Sequence, residues 1–164
     1  MKLRNYEVKD LEKILELNEK LVHFLSPLTK ESLKKLISQC DFTLVVEIDG
    51  NLEAFVLALS ENKNYESVNY QWFLKNYNEF LYIDRIVVSQ KYQGQGIGKE
   101  IYINIIKKAK KENYPYLLAE IDVKPPNPKS LNFHKSFGFK EVGRQSIYNG
   151  KKVVSLQALD LNLI

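Results

Sequence analysis

Residues 93–100, Gln93-Gly94-Gln95-Gly96-Ile97-Gly98-Lys99-Glu100 (QGQGIGKE), place three glycines at alternate positions between an apolar run at 81–88 (LYIDRIVV) and a helical pattern. Glycines at this spacing open main-chain N–H groups to close approach, and the start of the following helix favours an anion. Phosphate is the first expectation. A P-loop would need glycine five residues before Gly98 and Ser or Thr after Lys99, where this chain has Gln93 and Glu100. A dinucleotide fingerprint starting at Gly94 would need glycine at position 99, which is lysine.

Outward from this loop, helical and extended periodicity alternate. Ile97, Ile101, Ile105 and Ala109 recur every four residues after the glycines, and Lys107, Lys108, Lys110 and Lys111 fall where cations complement a helix C-terminus. Upstream, Asp10 is placed to cap a helix with the stripe Leu11, Ile14, Leu15, Asn18, Leu21 and Val22. Thr29 is placed to cap a second one carrying Leu33, Leu36, Ile37 and Cys40. Cys40 reads as a small core side chain. Asn18 is either a satisfied core amide or a side chain facing a pocket.

Extended runs at 43–48 and 52–59 join through Asp49-Gly50, a hairpin signal. Another runs from Phe80 to Val88. Between them lies SENKNYESVNYQWFLKNYNEF, a polar stretch crowded with aromatics and of roughly loop length. It reads as a flap over a site, with Trp72 and Phe73 either walling that site or plugging the sheet. Downstream come a strand at 117–123 and a short helix with Asn127 as cap, Pro128 at its first position and Gly138 closing it. Two last runs, 140–147 and 152–159, flank Asn149-Gly150.

With 164 residues, 45% of them hydrophobic, and no Pro/Gly/Ser-rich linker, the chain reads as one domain, residues 1–164. Twenty-four Lys+Arg against 20 Asp+Glu give +4, scattered along helices: too weak for nucleic acid, and suited to a small anionic ligand. One cysteine allows no internal disulfide. The start MKLRNYEVKD lacks a signal-peptide pattern and no run of about 18 apolar residues occurs, so the expectation is a cytoplasmic protein with no membrane span.

The loop that survives elimination, Q-x-x-G-x-G at Gln93, Gly96 and Gly98, resembles the pyrophosphate-binding loop of the GNAT superfamily of acyl-CoA N-acyltransferases. The segment at 127–139 (NPKSLNFHKSFGF) is similar to that superfamily's N-x-x-[SA]-x-x-[FL]-Y-x-x-x-G-F pattern, with His134 in place of tyrosine. The order of elements agrees along essentially the whole chain, and the DRIVVS…GQGIG…PPNPKSLNFHKSFGF combination resembles a bacterial-type GNAT group. The resemblance implies a mixed α/β domain with a central, mostly antiparallel sheet of six to seven strands flanked by about four helices. It implies acetyl-CoA as co-substrate, an amine acceptor, and no metal, and it is compatible with a homodimer.

Carried onto these residues, the resemblance assigns acetyl-CoA binding to main-chain atoms of Ile86, Val87 and Val88, to the loop Gln93, Gly94, Gln95, Gly96, Ile97, Gly98 and Lys99, and to Asn127, Ser130 and His134. Relatives often hold a glutamate base where this chain has Tyr82. By strand alternation Asp84 shares a face with Tyr82; both are catalytic candidates with His134, and Asp84 becomes the candidate base, acting directly or through water, the alternative being an ion pair with a neighbouring lysine or arginine. Glu120 and Asp122 on the adjacent strand are reserves. His134 stands where relatives place a tyrosine that protonates the CoA sulfur; a histidine titrating near ~6.5 suits that task. Asn18, Trp72, Phe73 and Tyr82 are the expected acceptor-binding residues. His23 carries no assignment. An N-acetyltransferase and a non-catalytic acyl-CoA sensor both remain open at this point.

Overall fold

One sheet organises the chain, its strands in the order β1-β2-β3-β4-β5-β7-β6. They span Lys2–Asn5 (β1), Phe42–Ile48 (β2), Asn51–Ser60 (β3), Leu81–Val88 (β4), Tyr116–Lys124 (β5), Lys140–Ile147 (β6) and Lys152–Asp160 (β7). Five α-helices lie among the described residues: Leu11–Glu19 (α1), Lys30–Gln39 (α2), Val68–Asn76 (α3), Ile97–Lys111 (α4) and Pro128–Ser136 (α5). The structure is a computed structural model that describes residues 1–21 and 25–164. Val22 of the expected stripe and His23 lie outside them.

Strand alternation divides the apolar side chains into two cores. One face meets α1, α2 and α3 through Ile14, Leu33, Tyr70 and Phe73. The other meets α4 through Ile97, Ile101, Ile105 and Ala109, with Phe133 and Phe137 of α5 packed beside it. Thr29 caps α2, its hydroxyl accepting from Ser32 N at 3.1 Å, and Asn127 caps α5, accepting from Ser130 N at 3.2 Å. Asp10 makes no cap bond to α1. Its carboxylate instead takes a bidentate pair from Arg4 (2.7 and 2.8 Å) and accepts Glu7 N–H, tying β1 to the start of α1. The four-residue β1 was invisible in the sequence, being too short to show a period. Cys40 ends α2 with its thiol donating to Leu36 O at 3.3 Å, and burial pushes its pKa up to about 12.

Two departures from the sequence reading shape the site. The aromatic stretch contains α3, capped by Ser67, and is not an open flap. A β-bulge on β4 opposes Leu57 to Arg85 and Ala58 to Ile83, leaving Asp84 as the extra residue. Tyr82 and Val87 therefore face the α1–α3 side while Ile83, Ile86 and Val88 face the α4 side; Asp84 bonds toward the Tyr82 side, as alternation expects, and the alternation breaks after it, where Arg85 bonds toward that side too.

The one parallel pairing is also the shortest. β4 and β5 register only at Leu81↔Leu117 and Tyr82↔Leu118 and then splay apart, whereas β5 continues beside β7 through Lys124. Among the described residues, no strand covers the edge of β4 that faces β5 beyond Tyr82.

Trp72 of α3 lies across β6 at Gly143, where an added Cβ would come 2.7 Å from Trp72 Cζ2. Overpacking of this kind costs about 1–3 kcal/mol. Gly143→Ala is expected to lower Tm by roughly 2–4 °C per kcal/mol lost, and Gly143→Ala/Trp72→Leu to recover part of it; thermal denaturation followed by circular dichroism measures both.

Candidate active site

Where β4 and β5 splay, two cavities meet. The first, about 700 Å³, runs between β4, β5, the glycine loop and α5. Of the residues expected to hold acetyl-CoA, it is lined by Ile86, Val88, Gln93, Gly94, Gly96, Ile97, Gly98, Lys99, Asn127, Ser130 and His134. Val87 turns its side chain into the opposite core, and Gln95 donates to Lys91 O at 3.0 Å; neither lines the cavity. Gly96, at φ +85°, is the N-cap of α4, a left-handed conformation that L side chains avoid. The unpaired N–H groups at the start of this 15-residue helix thus open toward the cleft, with Lys99 and Lys129 on its lining. Gln93 fastens the loop to the strand, its Nε2 donating to Val88 O at 3.1 Å.

The second cavity, about 770 Å³, lies on the α1–α3 side. It is walled by the α1–α2 connection (Leu25, Ser26), the approach to α3 (residues 65–69) and the β6–β7 hairpin. Asp84, Arg85 and Glu120 line both cavities and so mark where they join.

Asp84 is held from two sides. Tyr65 donates its hydroxyl to Oδ1, and Arg85 Nε donates to Oδ2 at 2.7 Å. Arg85 also donates to Asn18 Oδ1 (2.8 Å), Ser26 O (3.2 Å) and Ser26 Oγ (3.1 Å). The ion-pair alternative for Asp84 is therefore the one the fold adopts. Arg85, absent from the sequence assignment, clamps the α1–α2 connection to the junction. Its signal was an Asp-Arg pair inside an otherwise apolar strand.

Glu120 is placed differently. Tyr82, fully buried against Tyr70 and Phe73, donates its hydroxyl to Glu120 Oε1 at 2.9 Å. Oε2 is sealed from solvent and finds no hydrogen-bond partner of normal geometry, although Asn69 lies close enough to favour its charged form. Burial, reinforced by the Asp84 charge, pushes the Glu120 pKa up to about 8 against the opposing pull of Tyr82 and Arg85. The reserve carboxylate thus has a raised basicity and an oxygen without a hydrogen-bond partner, whereas both oxygens of Asp84 are bonded. Asp122, the other reserve, faces Lys152 at 3.1 Å.

The remaining expected side chains fall outside the cavities. Asn18 is a satisfied core amide, accepting from Arg85 and donating to Ser26 O at 3.2 Å. Trp72 packs on Gly143 and Phe73 is fully buried, so they act as plugs, and Tyr65, Glu66, Ser67, Val68 and Asn69 from the same segment wall the second cavity instead. Tyr82 reaches the site only through Glu120.

His134 is 4% exposed. Its Nδ1 lies 2.8 Å from Ser130 O, a carbonyl that can only accept, so Nδ1 carries the proton and Nε2 accepts from the Tyr102 hydroxyl. Burial lowers its pKa to about 4. The expectation of a histidine titrating near neutrality is corrected: at pH 7 this imidazole is neutral and its free lone pair is occupied.

The glycine loop capping a long helix, the splayed β4–β5 pair and the asparagine-capped α5 coincide with a family match. Residues 9–139 match the model of the acetyltransferase (GNAT) family. The chain belongs to that family. Among curated proteins, none matches it in sequence. Solved structures share the fold at low identity. The ribosomal-protein-S18-alanine N-acetyltransferase of Escherichia coli is 16% identical, with TM-score 0.74, covering 98% of this chain and 93% of its own. Arabidopsis thaliana Naa50, solved with the bisubstrate analogue CoA-Ac-MVNAL, is 18% identical at TM-score 0.75, covering 97% of each chain. Chaetomium thermophilum Naa20, also with a bisubstrate analogue, is 16% identical at TM-score 0.80, covering 99% of this chain and 87% of its own. No helix among the described residues of this GNAT chain is long and apolar enough to cross a membrane.

A histidine whose folded pKa is depressed lends stability that is full above its ordinary value near 6.5 and is lost as pH falls through about 4. In NMR, the His134 imidazole is expected to stay in the neutral Nδ1–H form down to about pH 5. His134→Gln should flatten the acid loss of stability between those two pH values, as read from denaturant midpoints.

Proposed function

We propose that the chain transfers an acetyl group from acetyl-CoA to a primary amine, with Glu120 as general base. The raised-pKa carboxylate of Glu120, with one oxygen lacking a hydrogen-bond partner at the junction of the two cavities, carries this reading. The loop from Gln93 to Lys99 and the start of α4 bind the pyrophosphate of acetyl-CoA, and the uncovered edge of β4 receives the pantetheine arm. The acetyl end then lies toward Glu120, and the amine approaches from the second cavity.

Glu120 takes a proton from the amine, whose lone pair attacks the acetyl carbonyl carbon. The C–N bond forms as the C–S bond breaks, and the CoA thiolate leaves and takes its proton from solvent. Tyr82 fixes the rotamer of Glu120, and Asp84 supports its raised pKa by like charge. Asp84 itself, saturated by Tyr65 and Arg85, positions the junction. His134 and Tyr102 shape the end of the cleft as a neutral pair. A pure acyl-CoA sensor has no need of a buried carboxylate poised at the meeting point of two cavities, so catalysis is favoured over sensing.

Glu120→Gln is expected to lower kcat/KM by about 10²- to 10⁴-fold while leaving the Kd for acetyl-CoA unchanged, as measured by thiol release and calorimetry. The base works ionised, so wild-type kcat/KM should rise with pH and level off above about 8. Asp84→Asn, which removes the like charge beside Glu120, should keep the rise of kcat/KM with pH but move it to lower pH; loss of the pH dependence in Asp84→Asn alone would reverse this division of roles. Gly96→Glu, which combines a disfavoured φ with negative charge at the phosphate position, should abolish acetyl-CoA binding in calorimetry without unfolding the chain.

A further inference from the structure

Resting on the acetyl-transfer reading, we infer that the acceptor is a primary amine with no carboxylate, phosphate or sulfate near its amino group. The charges around the second cavity point to this. Three carboxylates line it, Glu66, Asp84 and Glu120, against two cations, Arg85 and Lys152. Both cations face partners within the protein. The Arg85 guanidinium is divided among Asp84, Asn18 and Ser26, and Lys152 Nζ lies 3.1 Å from Asp122 Oδ1. An anionic group beside the amine would enter a partly dry space next to Glu120 and Asp84 and would have to break one of those pairs to find a counter-ion. An ammonium drawn in from water meets the opposite situation, a negative field at the point where it must give up its proton.

The neutral groups agree with this selection. Ser67, Asn69 and Gln145 offer hydroxyl and amide partners, and Gln145 Nε2 donates to Asn69 Oδ1 at 2.8 Å and to Val68 O at 3.2 Å, bracing α3 against β6. At the mouth, Val68 and Tyr148 are 55% and 64% exposed and give apolar walls. Such a cavity fits the amide, hydroxyl or aliphatic body of a neutral or cationic amine.

The test uses the whole chain, acetyl-CoA and two matched pairs of amines, alaninamide against alanine and glucosamine against glucosamine 6-phosphate, with thiol release as readout. The non-anionic member of each pair is expected to show kcat/KM higher by about tenfold or more, the scale of like-charge discrimination. Glu66→Lys, an exchange at an exposed rim position, should narrow that preference by raising kcat/KM for alanine. An anionic member used as well as its partner in either pair overturns the inference. Thiol release from none of the four would count against acetyl transfer itself. Calorimetry with CoA present then decides the charge rule separately: alaninamide binding without alanine upholds it, and alanine binding as tightly, or neither binding, overturns it.

Discussion

Everything at the site depends on β4 and β5 pairing for two residues and then separating. A parallel pair that ends after Tyr82 and Leu118 opens a wedge in a sheet that is otherwise continuous from β1 to β6. Both cavities occupy that wedge, one from each face. The bulge at Asp84 belongs to the same event: it removes one residue from the β3 ladder, turns β4, and reverses which side chains face which core. Without it, Tyr82 and Ile86 would share a face. With it, Tyr82 can support Glu120 from the α1–α3 side while Ile86 lines the cleft on the other.

The wedge is polar, and its polar groups have to be satisfied at the boundary between two apolar cores. Tyr65, Asp84, Arg85, Asn18 and Ser26 form one connected set, each partner occupying the capacity of the next. A buried ion pair of this kind adds little net stability over a hydrophobic replacement, but removing one member strands the other at a cost of about 3–5 kcal/mol. Its value is geometric. Arg85 bonds Asp84 on its own strand, α1 through Asn18, and the connection after α1 through Ser26, so it ties three walls around the junction. Glu120 stands beside this set with an oxygen left over, whereas both oxygens of Asp84 are bonded.

What the sequence disclosed was whatever depends on neighbours along the chain. The glycine loop, the Ile97 to Ala109 stripe, the Asn127-Pro128 cap and the Asp49-Gly50 hairpin are local patterns with local causes, and each is found where its pattern placed it. Side-chain roles in the wedge depend on register instead. A one-residue bulge has no signature in LYIDRIVV, so alternation put Tyr82 and Asp84 together and passed over Arg85. Within α3, Trp72 and Phe73 turn away from the cavity while Asn69 meets it, because helix phase and not composition decides which way each points, and Tyr65 reaches the cavity from the turn before the helix.

The replacement of tyrosine by histidine on α5 shows how such a change is absorbed. An imidazole is shorter than a phenol and has a second nitrogen to satisfy, and both consequences are visible. Nδ1 turns back one helical turn to Ser130 O, and Nε2 meets the hydroxyl of Tyr102, which α4 brings across from the neighbouring helix. Phe133 and Phe139 enclose the pair with edge-on rings, and Phe137 lies tilted against Tyr102. Such a cage disfavours imidazolium, so the position keeps a polar, hydrogen-bonded group against the cleft while giving up the capacity to ionise near neutral pH. At the other end of the wedge the same physical cause, burial, acts in the opposite sense on an acid and pushes the Glu120 pKa up to about 8.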